Sequence, residues 1–387
     1  MTRAFAIALI VMILAFAFAP RSASATPIYA QRYSFKCSVC HTVVPELNAY
    51  GDQFRRAGFN IPGAARRGYF PLVLRFQESY VKELLPSQTR RFNALAILVS
   101  TANFGKDNSF SYYARYFFGS QGAPGSLYYA YAQQVNQHSG AFERFGLYNL
   151  PLIQNATQRL DDLTPQPVYT YTVGQNSANF TTPRWGGEVG QRNDRVDVEA
   201  ALSFDEYHGA AYGVPAPPSE FNQRFVGPEF FASATAQIVP GATAGGLFLT
   251  GTRTFQSRVT GFAYDDHYDR EGVQAAYWSP HFAAYAQQIW GSDSNADGLG
   301  HVQASSGGFV TLKYRPTPHT YIGVRYDAVA DPIARRDFVY YLGLAPFTMH
   351  ARLVFERLQP VGPGSPLTSA QLLIALPFER KGATGPK

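Results

Sequence analysis

The sequence predicts an all-β fold: a transmembrane antiparallel β-barrel of about 16 strands, with a small α-helical module in front of it. Three observations predict it. From about residue 68 the chain falls into segments of alternating polarity separated by turn residues. Aromatic residues make up 15% of the chain, with 25 Tyr and 30 Phe. Soluble domains rarely need that load, whereas membrane barrels use it as girdles at both lipid–water interfaces. Finally, short proline-containing turns alternate with longer polar connections, the asymmetry of barrels with short periplasmic turns and long outer loops.

In chain order, residues 1–25 read as a secretory signal. Arg3 supplies a positive start, Ala4 to Ala19 an apolar core, and Ala23-Ser24-Ala25 a small-x-small cleavage site. The apolar run is shorter than the roughly 20 residues a spanning helix needs. The formal net charge of +6 includes Arg3 and Arg21 of this segment. What remains is too mild a balance for nucleic acid, and no basic patch is interleaved with base-stacking aromatics.

Residues 26–67 form the second region. Its signature is Cys37-Ser38-Val39-Cys40-His41, the Cys-x-x-Cys-His of covalent c-type haem attachment. Two thiols add to the two vinyl groups of the porphyrin, and the adjacent His offers its imidazole to the iron. A redox Cys-x-x-Cys belongs between a strand and a helix of a βαβ unit, which is absent here. A structural zinc site needs a second ligand pair, also absent. A short helix is expected to follow, with Pro45 in its first turn, an apolar stripe at Leu47, Tyr50 or Gly51, and Phe54, and Gly58 as its cap. The stripe could cover a haem face or pack on something else. So small a module cannot bury one haem alone, so the rest of the chain is expected to supply a wall.

Residues 68–387 form the barrel. Thr320, Ile322, Val324 and Tyr326 share one face, opposite Tyr321, Gly323, Arg325 and Asp327. Phe338, Tyr340, Leu342 and Leu344 lie on one side of the next segment. Phe347, Met349, Ala351, Leu353 and Phe355 oppose Thr348, His350, Arg352 and Glu356, and Leu372, Ile374, Leu376 and Phe378 line the last. An apolar face opposite a charged one is what lipid-out, lumen-in strands require. Short turns are expected at 279–280, 316–318 and 345–346, and long outer loops at 264–271, 291–306, 328–337 and 357–366. Both chain ends then lie in the periplasm. Strands are not assignable across 150–230.

The iron's second axial ligand is expected from a histidine. Met349 is the one Met beyond the signal segment, and it has lipid-facing parity. His281, His319 and His350 follow the short turns, which puts them on the rim where the module enters. In the outer loops, Asp265, Asp266, His267 and Asp269 could attract Fe²⁺. Asp293-x-Asn295-x-Asp297-Gly298 opens like a calcium loop, although Ala304 stands where the twelfth-position Glu belongs.

This layout resembles the fused monohaem cytochrome–porins of bacterial outer membranes, whose best-known members oxidise extracellular ferrous iron. The run Tyr29-Ala30-Gln31-Arg32-Tyr33, then Cys37 to His41, then Pro45-Glu46-Leu47-Asn48-Ala49-Tyr50-Gly51, Phe54-Arg55 and Gly58-Phe59 is similar to that family's surroundings of its haem. The resemblance covers about 30 residues. It implies Cys37 and Cys40 as covalent haem attachments, His41 as iron ligand and one haem c as cofactor. It also implies an outer-membrane location, an extracellular donor such as Fe²⁺ and a periplasmic c-type cytochrome or other electron carrier as partner. An electron conduit follows, with flow in either direction. The alternative is a porin-type channel whose haem module is a plug or redox sensor, with Arg75, Arg115, Lys313, Arg325 and Arg352 setting selectivity. A haem enzyme with an open iron site is a third reading.

Overall fold

Strands whose side chains alternate between lipid and lumen leave every backbone group needing a partner, and closure into a ring supplies it. The computed structural model describes residues 28–33, 35, 37–43, 46–47, 49–61, 70–83, 91–105, 109–118, 125–152, 163–176, 180–193, 195–206, 221–317, 319–330, 334–344 and 351–377. The signal segment, Pro45, the boundary at 67–68 and His350 lie outside them.

The N-terminal module runs α1 (Ile28–Tyr33), α2 (Cys37–Cys40), β1 (His41–Val43), β2 (Glu46–Leu47) and α3 (Ala49–Arg56). The expected helix begins at Ala49 and not at Pro45, because Glu46–Leu47 pairs back on His41–Val43 in a small antiparallel hairpin. Its cap is as expected. Gly58 takes φ +70, and the Phe59 N–H donates to the Phe54 carbonyl at 2.9 Å, closing the helix in Schellman fashion.

The barrel follows as β3 (Leu72–Glu83), β4 (Arg91–Phe104), β5 (Phe110–Phe117), β6 (Ser126–Val135), β7 (Ala141–Tyr148), β8 (Arg184–Arg192), β9 (Val196–Glu206), β10 (Phe221–Phe225), β11 (Glu229–Val239), β12 (Ala242–Ser257) and β13 (Ala263–Trp278). It continues through β14 (Phe282–Asp293), β15 (Gln303–Thr317), β16 (Thr320–Ala330), β17 (Arg335–Leu344), β18 (Ala351–Pro360) and β19 (Leu367–Pro377). All pair antiparallel in one sheet. First and last strands join, from Leu367 opposite Glu83 to Pro377 opposite Val73, so the sheet is closed. It holds 17 strands at 16 ring positions. Both β10 and β11 pair with β12, end to end, as two parts of one stave broken at Val226-Gly227-Pro228. Pro228 has no N–H to donate to the ladder.

The predicted alternation holds where it was sharpest. In β16, Tyr321, Arg325 and Asp327 are buried in the lumen while Ile322 is exposed outward. In β17, Val339 and Tyr341 face in while Tyr340 and Leu342 face out; in β18, Arg352, Val354 and Glu356 oppose Phe355. Outward Phe76, Phe145, Phe204, Val310 and Leu312 present an apolar surface suited to lipid. No described helix is long and apolar enough to cross a membrane.

The outer loops are shorter than expected. Residues 264–271 are no loop but part of β13, paired along their length with β12. The acidic run misled because this strand rises past the apolar band, where an outward face can be polar. Likewise β14 extends to Asp293, β15 starts at Gln303, β16 reaches Ala330, β17 starts at Arg335 and β18 reaches Pro360.

The buried core lies inside the ring. One cluster joins Leu150, Leu152, Val168, Tyr169 and Phe180, from the connection between β7 and β8, to Leu249, Tyr268, Ile289 and Phe309 of the wall. A second joins Ile28 of α1 to Val73, Ile97, Val99 and Phe117. Both segments therefore fold into the lumen.

Candidate functional site

The module enters from the end of the short turns and lies against β3–β7. The Tyr29 hydroxyl bonds the Thr101 Oγ1 at 2.6 Å, and the Asn103 amide donates to the Phe59 carbonyl at 2.8 Å. The Gln137 amide donates to the Ala57 carbonyl at 3.0 Å. Each such bond contributes on the order of 1 kcal/mol net. An aromatic stack reinforces them. Tyr29 stacks on Phe59 at 4.6 Å, Phe59 on Tyr113 of the wall at 6.3 Å, and Tyr113 on Tyr131 at 5.7 Å. Such pairs add roughly 0.5–1.5 kcal/mol each beyond burial.

Cys37 and Cys40 are the ends of one helical turn, positions that share a face. Cys40 is half-buried and borders the aromatic cluster of Tyr33, Phe54 and Phe59. The α3 helix crosses this turn so closely that a Cβ on Gly51 would stand 1.9 Å from the Cys40 carbonyl oxygen. Burial first, and then the neighbouring Cys40, raise the Tyr50 phenol above its ordinary value. Two cysteines on one turn, a histidine next in chain and an apolar aromatic bed fit a covalently attached haem.

The histidines singled out from the sequence fall differently. His281 and His319 occupy turns at the module's end of the barrel, and both are exposed. His281 Nδ1 donates to the Arg315 carbonyl at 3.0 Å, which leaves Nε2 as its acceptor nitrogen. In ring order these turns lie across the barrel from β3–β7. The rim histidine beside the module is His138, next to Gln137 in the β6–β7 turn. The sequence reading passed over it because that turn carries no proline.

The expected outer cation site is divided between two faces. Asp265, His267 and Asp269 point outward from β13, while Asp266 is wholly buried in the lumen. The Asn176 amide donates to Asp266 at 2.8 Å and to Asp293 at 3.0 Å. Arg270 pairs with Asp293 at 2.8 Å. Asn295 caps its own loop through the Gly300 N–H at 2.6 Å. Asp297 accepts from the Leu299 N–H at 2.9 Å and contacts His301 at 2.8 Å. Among the described residues no group of three such ligands could hold a metal ion.

The described residues of the connection from β7 to β8 (149–152, 163–176 and 180–183) are the second lumenal element. They start from the opposite rim and carry a short helix, α4 (Pro167–Thr170), against β15 and β16. Glu356 accepts the Leu163 and Thr164 N–H groups and the Thr164 hydroxyl. Arg325 donates to the Thr164 carbonyl at 3.0 Å while its Nε pairs with Asp327 at 2.9 Å. The Tyr169 hydroxyl bonds Gln287. Sequence reasoning left this stretch unassigned. Its Pro165-Gln166-Pro167 and its apolar residues without strand alternation are the signal of an inserted loop.

No protein-family model matches the chain, and no curated protein matches it either. Solved structures do. An anion-selective porin from Comamonas acidovorans superposes with TM-score 0.57 at 11% identity, covering 80% of this chain and 99% of that one. OmpF of Salmonella typhi, in complex with daunomycin, gives 0.55 at 8% identity, covering 79% and 96%. The outer membrane channel DcaP of Acinetobacter baumannii gives 0.53 at 11%, covering 82% and 99%. At these identities the likeness is one of fold, the porin-type β-barrel.

Proposed function

We propose that this chain is an outer-membrane barrel that passes single electrons between an extracellular donor and a periplasmic carrier through one haem c. The observation that carries the reading is the position of the Cys37–His41 segment. It belongs to a module bonded to the lumenal wall and is not tethered outside the ring. Cys37 and Cys40 would hold the group by thioether bonds and His41 would ligate its iron. Haem, when bound, supplies a one-electron couple. The chain's own part is to seat that couple in a polar lumen, where a charged cofactor is far less costly than in lipid. The wall residues Thr101, Asn103 and Gln137 fix the module, and Tyr33, Phe54 and Phe59 keep water from the cysteine turn. The family resemblance points to ferrous iron as the donor.

A second reading, a solute channel with the module as plug or redox sensor, draws support from the porin neighbours. Against a wide channel stand two lumenal inserts, one from each end.

The test is to purify the chain from a host that attaches haem and look for covalent haem. Its reduction by Fe²⁺ is then followed on a millisecond-to-second scale, and its conductance is measured in planar bilayers. Covalent haem, reduction and a blocked pore support the conduit. A large open conductance with haem in place supports the channel, and absence of covalent haem refutes both forms of the haem reading. Substituting His138, His281, His319 and His350 one at a time, and recording the haem spectrum, identifies a distal histidine or eliminates all four.

A further inference from the structure

We propose that Arg75 and Arg115 form an anion site on the lumenal wall that takes the two propionate carboxylates of the haem. The inference rests on the haem reading given above. Both arginines face the lumen, on the two staves that flank β4. Arg75 on β3 is in register with Ile97, and Arg115 on β5 with Val99, so the single strand β4 separates them by one lumenal step. Around them runs the apolar cluster of Val73, Ile97, Val99 and Phe117 into which Ile28 of the module packs. Tyr113, two residues before Arg115, borders the Cys40 cluster. The pair therefore adjoins the module on its lumenal side.

Their charge is uncompensated among the described residues. Several lumenal arginines elsewhere have carboxylates: Arg144 pairs with Glu188 at 2.9 Å, Arg192 with Asp197 at 3.0 Å, Arg270 with Asp293 and Arg325 with Asp327. Neither Arg75 nor Arg115 has such a partner among the described residues. The Arg115 guanidinium lies 4.8 Å over the Phe117 ring and 6.0 Å from that of Tyr129, and its Nε is buried without a hydrogen-bond acceptor. Two guanidinium groups set beside an apolar cluster call for anionic oxygen, because a charge partly withdrawn from water is costly when no counter-charge meets it. A haem held by the module would bring two carboxylates that need cations for the same reason. Guanidinium also matches a carboxylate with paired N–H donors, which an ammonium cannot. A free oxyanion in the lumen offers the same chemistry, so the test separates the two sources.

Haem-loaded full-length protein and its Arg75→Gln, Arg115→Gln and Arg115→Lys variants are titrated for reduction potential across about pH 5–8. With the propionates held ionised by the arginines, the wild-type potential is expected to be flat over that range. Each Gln variant is expected to have a lower potential, because loss of a cation favours the ferric state. That potential should also fall as pH rises, because a released propionate ionises within the range. Arg115→Lys should recover the potential in large part. Arg335→Gln, at the far rim, should match wild type. Gln variants whose potential and pH profile equal those of wild type overturn the assignment. So does a wild-type potential that shifts on adding inorganic phosphate, with the shift lost in Arg115→Gln, since a free anion then occupies the site. A correctly folded wild-type barrel without covalent haem refutes the haem reading itself, a result distinct from an unchanged potential.

Discussion

At Gly51 the α3 helix meets the cysteine turn with no room for a methyl group, and the obstacle is backbone, which cannot swing aside. Gly51→Ala is therefore expected to push α3 off the turn at a cost of about 1–3 kcal/mol and to lower the yield of covalent haem several-fold. Haem stain per mole of purified chain measures it. Gly58→Ala strains a left-handed cap by roughly 1 kcal/mol and should leave most of that yield. Equal attachment in Gly51→Ala and wild type would remove the close crossing from the account. Asp297 makes a different prediction. The Leu299 N–H first, and then His301, hold its carboxyl below the ordinary value. A carboxyl lowered on folding stabilises the folded loop above its unfolded value, and that contribution is lost as pH falls through the folded one. Proteolysis of the 294–302 loop should thus quicken in acid, modestly because the pair is exposed, and Asp297→Asn should flatten the dependence. At this scale the sequence was partly readable: Gly58 carries its cap. The Asp265–Asp269 run did not yield its meaning, because alternation in a strand sends neighbours to opposite faces.

The strands were legible where each kept a strict two-residue period between an apolar and a polar environment, as in β16 to β18. The connection from β7 to β8 was not, because its order comes from the far wall and not from its own pattern. Glu356 alone meets two N–H groups and a hydroxyl of that segment. Glu356→Ala is expected to leave those donors unsatisfied, with a loss of about 1–3 kcal/mol in how firmly the insert is held. Hydrogen exchange across residues 163–170 should rise several-fold while the strands stay protected. Asn176→Ala should do the same for residues 173–176, because Asp266 and Asp293 then lose the amide between them. Unchanged exchange in both variants would mean that the apolar contacts of Val168, Tyr169 and Phe180 hold the insert without these polar ties.

For the whole molecule, the two inserts decide what sort of barrel this is. A ring of this size leaves an aqueous channel when its lumen is empty. Here the module occupies one end along β3–β7, and the described residues of the connection from β7 to β8 start from the other end and lie on β14–β18. A solute must pass both, so the two act in series, and opening either alone leaves the other as the limiting resistance. Glu356→Ala with Asn176→Ala loosens only the upper insert, and Asn103→Ala with Gln137→Ala loosens only the module, each set removing about 1–3 kcal/mol of polar ties. Either double variant is expected to raise single-channel conductance less than two-fold. The quadruple variant should exceed the product of the two increases, because only then are both obstacles loosened. Conductance in planar bilayers measures all three. If the upper pair alone opens a large pore, the module is no barrier and the solute-channel reading gains. If the quadruple variant remains closed, the lumen is sealed by packing. Electrons would then cross a barrel that solutes do not, which is the separation a redox conduit in a membrane requires.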